Sequence, residues 1–465
     1  MSQSNVNLLN LPDEILLLIL KKLNNIDVLY SFIDVNNDHL NSLALEKIFS
    51  DTLNFVSIDN VSAIDQQKFD RFCKVILPKI HENVKCFILE PLSMKCILLA
   101  AEYSNLTERK LFNFTQYVGL NYFTTHNRSY PSLSLCDSPS ISFSSATLSY
   151  LSINVSTFDD CLYLLDGRLK QLSTLIVQIY KTSKSSSVIP ITDNLPNLKC
   201  FSLTCYFLFD IYDEHILPLL HRMTYLEKLT LYLCIKIRDR FIDCFHLQNE
   251  ILLYMPRLHL FTFYISTYDR AADLFCFVPR QDIQRIDANI GHEKYMANMI
   301  NYISIDETVF SIFSLPFAFH RIRAVGNIFP DIVFKFVTIL VVHDIFPFNH
   351  EFFLRVSRSF SLLQTLHVVN LILQSSCDIN SLLSNDSQSC SIAKYPHLTT
   401  FNVRRGNINN VEEFLNETKT SAPCLTKLMI KYSDLRIVTN NFTREETRHN
   451  SHKCSMEDDR TFEAP

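Results

Sequence analysis

The sequence predicts an α/β chain, with a small helical module at the N-terminus and then a long array of short strands alternating with helices. Three observations predict it. A short apolar phrase of the form Leu-x-x-Leu-x-Leu returns along most of the 465 residues. Prolines stand at a fixed distance before several copies of the phrase. The first fifty residues carry helix start signals in place of strand alternation.

The opening helix is Leu11-Pro12-Asp13-Glu14 followed by Ile15 to Leu20, Lys21, Lys22 and Leu23. Pro12 suits a first helical turn, where its missing N–H has no intrahelical partner. Asp13 and Glu14 favour the positive end of the helix dipole, and Lys21 and Lys22 the negative end. The helix is therefore expected from about Pro12 to Leu23. Asn25 is placed to cap a second helix with Val28, Leu29, Phe32 and Ile33 at helical spacing. A third is expected from about Asn37 to Phe49. Six consecutive apolar residues make the first helix apolar on nearly all sides, and three short helices have too little interior to cover it. Its cover must come from the rest of the chain or from another protein.

Beyond residue 50 the phrase occurs with leading residues at Leu148, Leu172, Leu198, Leu226 and Leu258, and again at Leu363, Leu398 and Leu425. The first five are 24 to 32 residues apart, close to the period of leucine-rich repeats. At an apolar content of 47 %, such a triplet arises by chance about one time in ten, so proline is the sharper signal. Pro196, Pro256, Pro396 and Pro423 each stand two residues before the phrase. Proline cannot continue a helix and biases its predecessor toward extended structure. Each unit then reads as a short strand and a helix, the strands forming a parallel sheet with the last two apolar positions inward. Val84-x-x-Phe87-x-Leu89 is expected to open the array. Between Leu258 and Leu363 the rhythm is weak, with Ile283-x-x-Ile286-x-Ala288 and Phe336-x-x-Ile339-x-Val341 as the candidates. The asparagine that often follows such strands is mostly missing. Stacked, the units give an α/β solenoid of horseshoe form. The organisation expected is 6–50 for the helical module, 51–435 for the array and 436–465 for a polar, disordered tail. A non-repeating α/β domain is the other reading.

Composition narrows the function. Five isolated glycines allow no G-x-G-x-x-G, P-loop or G-x-S-x-G. A net charge of -5 without a basic run gives no electrostatic footprint for nucleic acid. No apolar run approaches the roughly 18 residues of a membrane span, and Met1 to Asn5 lack a signal peptide's basic region. Fourteen cysteines, none in C-x-x-C, read as free buried thiols of a reducing compartment. A soluble intracellular chain, cytoplasmic or nuclear, is the expectation.

No catalytic constellation is legible, so no enzyme activity, cofactor or metal is expected. His449, His452 and Cys454 lie together in the polar tail without the second ligand pair a structural zinc uses. Asp159-Asp160 and Glu445-Glu446 are sequence neighbours that do not face each other on a helix. His215, His246, His320 and His343 stand among apolar residues as structural groups. Arg404 and Arg405 read as solvated surface near a strand end, or else as a contact for an acidic partner.

The order of residues at the N-terminus resembles the F-box motif over about residues 7 to 50: the Leu11-Pro12-Asp13-Glu14 opening, the pair Ile19-Leu20, Leu23 closing the first helix, Leu29 in the second and Val35 before the third. His39 or Leu40 replaces the family's aromatic residue four positions on. The remainder resembles the degenerate leucine-rich repeats found behind many F-boxes. The resemblance implies a substrate-recognition adaptor of a cullin-based (SCF-type) ubiquitin ligase. Leu11, Pro12, Ile15, Ile19, Leu20, Leu23, Leu29 and Val35 would dock on a Skp1-type adaptor and through it on a cullin, and the repeats would hold a protein substrate. The competing expectation is a repeat scaffold outside any ligase, whose N-terminal helices only cap the array.

Overall fold

The computed structural model describes residues 11–55, 66–89, 97, 100–101, 103–111, 148–155, 157–166, 169–179, 195–236, 241–270, 284–285, 295–304, 307–370 and 391–447. These form a mixed α/β structure with several sheets and no closed barrel. The chain divides into two compact units, residues 1–207 with 221–228, and residues 208–220 with 229–465.

The first unit begins with four helices, α1 (Asp13–Leu20), α2 (Asn25–Phe32), α3 (Asp38–Ala44) and α4 (Lys47–Ser50). The first expected helix thus ends three residues early, and the third is broken in two. Strand β1 (Thr52–Asn54) follows, then α5 (Gln66–Arg71), a π-helical turn (Phe72–Ile76) and α6 (Leu77–Ile80). The remaining strands are β2 (Cys86–Leu89), β3 (Glu108–Leu111), β4 (Tyr150–Val155), β5 (Thr174–Ile179) and β6 (Cys200–Phe209), with α7 (Phe158–Leu164) between β4 and β5. The six strands pair in parallel, in chain order.

Their register puts the phrase in phase. Leu53, Phe87, Arg109, Leu151, Leu175 and Phe201 are aligned from strand to strand. All but Arg109, whose side chain lies outside the described residues, are fully buried. A backbone ladder fixes this phase. The Asp51 carbonyl accepts from the N–H groups of Lys85 and Cys86, and the Lys85 carbonyl from those of Thr107 and Glu108. The same double bond recurs at Thr107, Ser149, Ser173 and Lys199. Each strand therefore enters at the same height as its predecessor. The array opens one strand before Val84, at β1. Arg109, at the register position where the other strands carry Leu or Phe, breaks the apolar phrase in the sequence of β3.

The proline signal has a local cause. In Leu195-Pro196-Asn197-Leu198 the Leu198 N–H donates to the Leu195 carbonyl at 3.3 Å, a turn with proline second, the place where its fixed φ is favoured. Met255 to Leu258, Tyr395 to Leu398 and Ala422 to Leu425 close the same way.

Between the two parallel runs, a π-helical turn (Tyr212–Ile216) leads through α8 (Leu217–His221) to β7 (Lys228–Lys236), and α9 (Cys244–His246) precedes β8 (Leu260–Arg270). In the second unit β8 pairs antiparallel with β11 (Glu307–Leu315), β11 with β10 (Tyr295–Ser304), and β10 with β9 (Gln284–Arg285). The all-parallel expectation fails here. Two residues separate β10 from β11, enough for a hairpin and far too few for a crossover. Residues 283 and 286–288 of the Ile283 phrase lie outside the described residues.

A second, five-stranded parallel sheet runs β12 (Arg321–Val325), β13 (Ile339–His343), β14 (Thr365–Val369), β16 (Thr400–Arg405), β18 (Lys427–Met429). Helix α10 (His350–Ser359) joins β13 to β14. The short β15 (Ala393–Lys394) and β17 (Thr420–Ser421) pair beside it, α11 (Ile408–Leu415) follows β16 and α12 (Tyr432–Val438) follows β18. Leu340 aligns with Leu366 and Phe401, and all three are buried. The phrase on β13 is therefore Val337-x-x-Leu340-x-Val342. The expected Phe336 register is slipped by one residue, which would point every side chain to the wrong face; Phe336 is 54 % exposed and Val337 fully buried.

The missing asparagines are replaced at the strand ends. Asn370 Nδ2 donates to the carbonyls of Asp344 (3.1 Å) and Phe346 (2.6 Å), and Asp344 accepts from the N–H groups of Asn327 (2.7 Å) and Phe346 (3.0 Å). Gly326 is required beside them, since a Cβ would lie 2.7 Å from Asp344 Oδ2. Residues 436–447, expected as the start of a solvated tail, fold back: Arg444 grips Glu412 through two contacts of 2.5 and 2.9 Å, and Thr439 and Thr447 are buried. Residues 448–465, including His449, His452 and Cys454, lie outside the described residues.

Candidate docking surface

Pro12 precedes the first turn of α1, where Asp13 and Glu14 lie, as the sequence requires. The helix then splits its apolar run between two faces. Leu16 and Leu20, one turn apart, point into the unit's core. Ile15, Leu18 and Ile19 point outward at spacings of three and four, and Leu23 stands beyond the helix end in the same state. Leu18 is 58 % exposed, Leu23 50 % and Ile19 40 %. Burying a side chain of this size in full is worth about 1.5–3 kcal/mol, so the four hold a few kcal/mol of unused contact.

The other helices are held differently. Asn24 caps α2 by accepting from the Ile26 N–H (3.1 Å), in place of the expected Asn25. Val28, Leu29 and Ile33 are completely buried. Arg71 donates to the carbonyls of Tyr30 (3.2 Å) and Ile33 (3.0 Å) at the end of α2, and its guanidinium lies 4.7 Å from the Tyr30 ring centre. Lys79 meets Asp34 at 2.5 Å, and Asn25 Nδ2 donates to the Thr52 carbonyl (3.1 Å). Helices α2 and α4 pack on β1, with Phe49 and Leu53 fully buried. So α2 and α4 belong to the body of the unit, and α1 presents its second face outward.

The eight expected docking residues therefore separate. Ile15, Ile19, Leu23 and Val35 are exposed apolar side chains, Pro12 is exposed and Leu11 half-buried. Leu20 and Leu29 are core residues of this chain, and their expected place on the surface is corrected: both sit on the faces that close the interior. Leu18, the most exposed member of the patch, was missed, as were Leu45 and Ile48. Ile15, Leu18 and Ile19 share one helical face, but in an unbroken apolar run nothing in the sequence tells it from the face of Leu16 and Leu20. His39, standing where the family has an aromatic residue, places Nε2 2.7 Å from Asp13 and so ties α3 to the start of α1.

The described residues hold no group of three or more His, Cys, Asp or Glu fit for a metal ion. Burial, helped by Asp160, pushes the Cys161 thiol up to about 12, far from a reactive thiolate. No described helix is long and apolar enough to cross a membrane. No protein-family model matches the chain, and no curated protein matches it.

Proposed function

We propose that the chain is the substrate-recognition adaptor of a cullin-based, SCF-type ubiquitin ligase in the cytoplasm or nucleus. Its N-terminal helices act as an F-box that docks on a Skp1-type adaptor, and its parallel strands form a leucine-rich-repeat-like solenoid that holds a protein substrate. The observation that carries this reading is the outward face of α1, where Ile15, Leu18 and Ile19 stay exposed while Leu16 and Leu20 anchor the helix. An apolar helix face of this kind suits a partner's groove. The in-phase strands and their backbone ladder support the solenoid, whose units bury their apolar faces only by stacking. The chain makes and breaks no bond in this scheme. It raises the effective concentration of substrate lysines near a charged conjugating enzyme.

The test is co-purification of Skp1 with the tagged chain. Wild type brings Skp1 down; Leu11→Ala with Pro12→Ala, and separately Ile19→Asp, abolish it while the circular dichroism spectrum is unchanged. Undiminished Skp1 in both variants overturns the reading.

A non-ligase scaffold with a helical cap is the second reading, favoured by the packing of α2 and α4 on β1 and by the Arg71 contacts. Deleting residues 1–50 strips cover from β1 under either reading. The surface variant Ile19→Asp separates them, because a cap needs only the inward residues.

A further inference from the structure

The two faces of the second sheet differ in kind. Ile322, Leu340, Leu366, Phe401 and Leu428 form one aligned row of the core. By strand alternation the opposite face carries Arg321 and Arg323 on β12, His343 on β13, His367 on β14 and Lys427 on β18, and a register shift in β16 pairs Arg405 with Val369 on that same face. No Asp or Glu stands on that face at any position of the five strands. The charges on it are those of Arg321, Arg323, Arg405 and Lys427, and in a chain whose net charge is -5 they make a segregated cationic surface.

We infer that this face receives an acidic segment of a partner polypeptide; the inference rests on the adaptor reading above and assigns its substrate class. The spread of charge argues for a peptide over a single small anion. Three strand spacings separate β12 from β16, about 14 Å at ~4.8 Å each. An extended chain with an acidic residue at every second position spaces its carboxylates about 6.8 Å apart on one side, so three of them cover the same width.

Access is graded. Thr365, His367 and Thr400 are buried, His343, Val369 and Asn402 are half-buried, and Arg405 is exposed. The accessible part lies at the carboxyl ends of β13, β14 and β16, with Arg405 as the first charge a ligand meets. Arg321 and Arg323 are engaged within the chain and act through their field. Burial and these arginines pull His343 and His367 down to about 4, so at neutral pH both imidazoles are uncharged hydrogen-bonding groups.

The experiment uses the full chain and a fluorescein-labelled nonapeptide of alternating Glu and Gly, read by fluorescence anisotropy, beside a Lys–Gly peptide and tripolyphosphate. The Glu–Gly peptide binds and the Lys–Gly peptide does not; Arg405→Glu weakens binding at least tenfold, and raising salt weakens it further. Equal binding of the two peptides, no binding of Glu–Gly, or an unchanged affinity in Arg405→Glu overturns the inference. So does tripolyphosphate binding without peptide binding, which assigns the face to a small polyanion. Skp1 co-purification of Arg405→Glu stays at the wild-type level, so loss of peptide binding and loss of adaptor docking are read separately.

Discussion

The first and second parallel sheets share one strand grammar and differ on the side that grammar leaves free. Both align an apolar row from strand to strand, and in both a four-residue turn and a doubled backbone hydrogen bond lead into strands such as β5, β6, β14 and β16. On the free face, β4 to β6 of the first sheet show Ser152, Asn154, Thr174, Gln178, Ser202 and Thr204, all uncharged, with Glu108 and Lys110 at the same register rows on β3, and the second sheet shows arginines and histidines with no acidic residue. Inside, the first sheet joins aliphatic pairs such as Leu151 with Leu175 to edge-on rings, Phe55 with Phe72 at 5.2 Å and Phe87 with Tyr103 at 4.8 Å, while the second stacks rings face to face: Phe401 on Phe414 at 3.7 Å and Phe334 on Phe360 at 4.6 Å. The positions that make the fold are thus separable from those that set what it touches.

The largest expected effect comes from breaking the inner row of the second sheet. Phe401→Ala removes a completely buried ring, its stack on Phe414 and its place between Leu366 and Leu428. The expected loss is about 3–5 kcal/mol by urea denaturation. Ser202→Ala, on the free face of the first sheet, is expected to shift stability by less than about 0.5 kcal/mol. A comparable cost for both would erase the distinction between faces.

How much of this was legible follows from where the sequence carried phase. Turns with proline and strands with clean alternation, such as Leu198-x-x-Phe201-x-Leu203, could be placed because polar residues marked the other face. Runs without alternation could not. Val337 to Val342 contains one polar residue, so nothing fixed which apolar set faced inward, and the phrase slipped by one position. In α1 the unbroken run Ile15 to Leu20 hid the division between Leu18 outside and Leu20 inside for the same reason. Arg109 hid β3 by interrupting the apolar phrase in the sequence. The cationic face was visible in part as Arg404 and Arg405, but only the register brings Arg405 onto one surface with Arg323 and His343, whose residues are far apart in the chain.

A smaller effect is expected from pH, and it sharpens the contrast between the free faces. His343 and His367 are held near 4 by burial and by Arg321, Arg323 and Arg405, below the 6.5 of an ordinary histidine. Between those values the unfolded chain binds protons that the native chain does not. Their contribution is therefore fully present above about pH 6.5 and is lost as pH falls through 6 and 5 toward 4, with a slope of up to about 1.4 kcal/mol per pH unit for each proton. The urea midpoint of the second unit, followed by hydrogen exchange in β13 and β14, should drop between pH 7 and pH 5. His367→Leu should flatten that dependence, and a midpoint equally steep in the variant would show that other groups govern it.

The smallest effect concerns how the strand ends are tied. In the second sheet a side-chain amide does the work, with Asn370 Nδ2 bridging the carbonyls of Asp344 and Phe346 inside the unit. Asn370→Ala leaves the buried Asp344 carbonyl short of a donor, while the Phe346 carbonyl keeps Asn327 Nδ2 at 3.3 Å, at an expected cost of about 1–2 kcal/mol. The loss should be local: faster exchange at the backbone N–H of Asp344, which donates to Val369, and at that of Asn370, which donates to Arg405, with β4 and β5 unchanged. Because Asn370 takes its backbone bond from the strand that carries Arg405, the same variant should also weaken binding of the acidic peptide by severalfold, through a displaced Arg405 and without any change of charge. Unaltered peptide affinity in a locally loosened protein would mean that the cationic face does not depend on the strand-end amides, and that its geometry is set by the inner row alone.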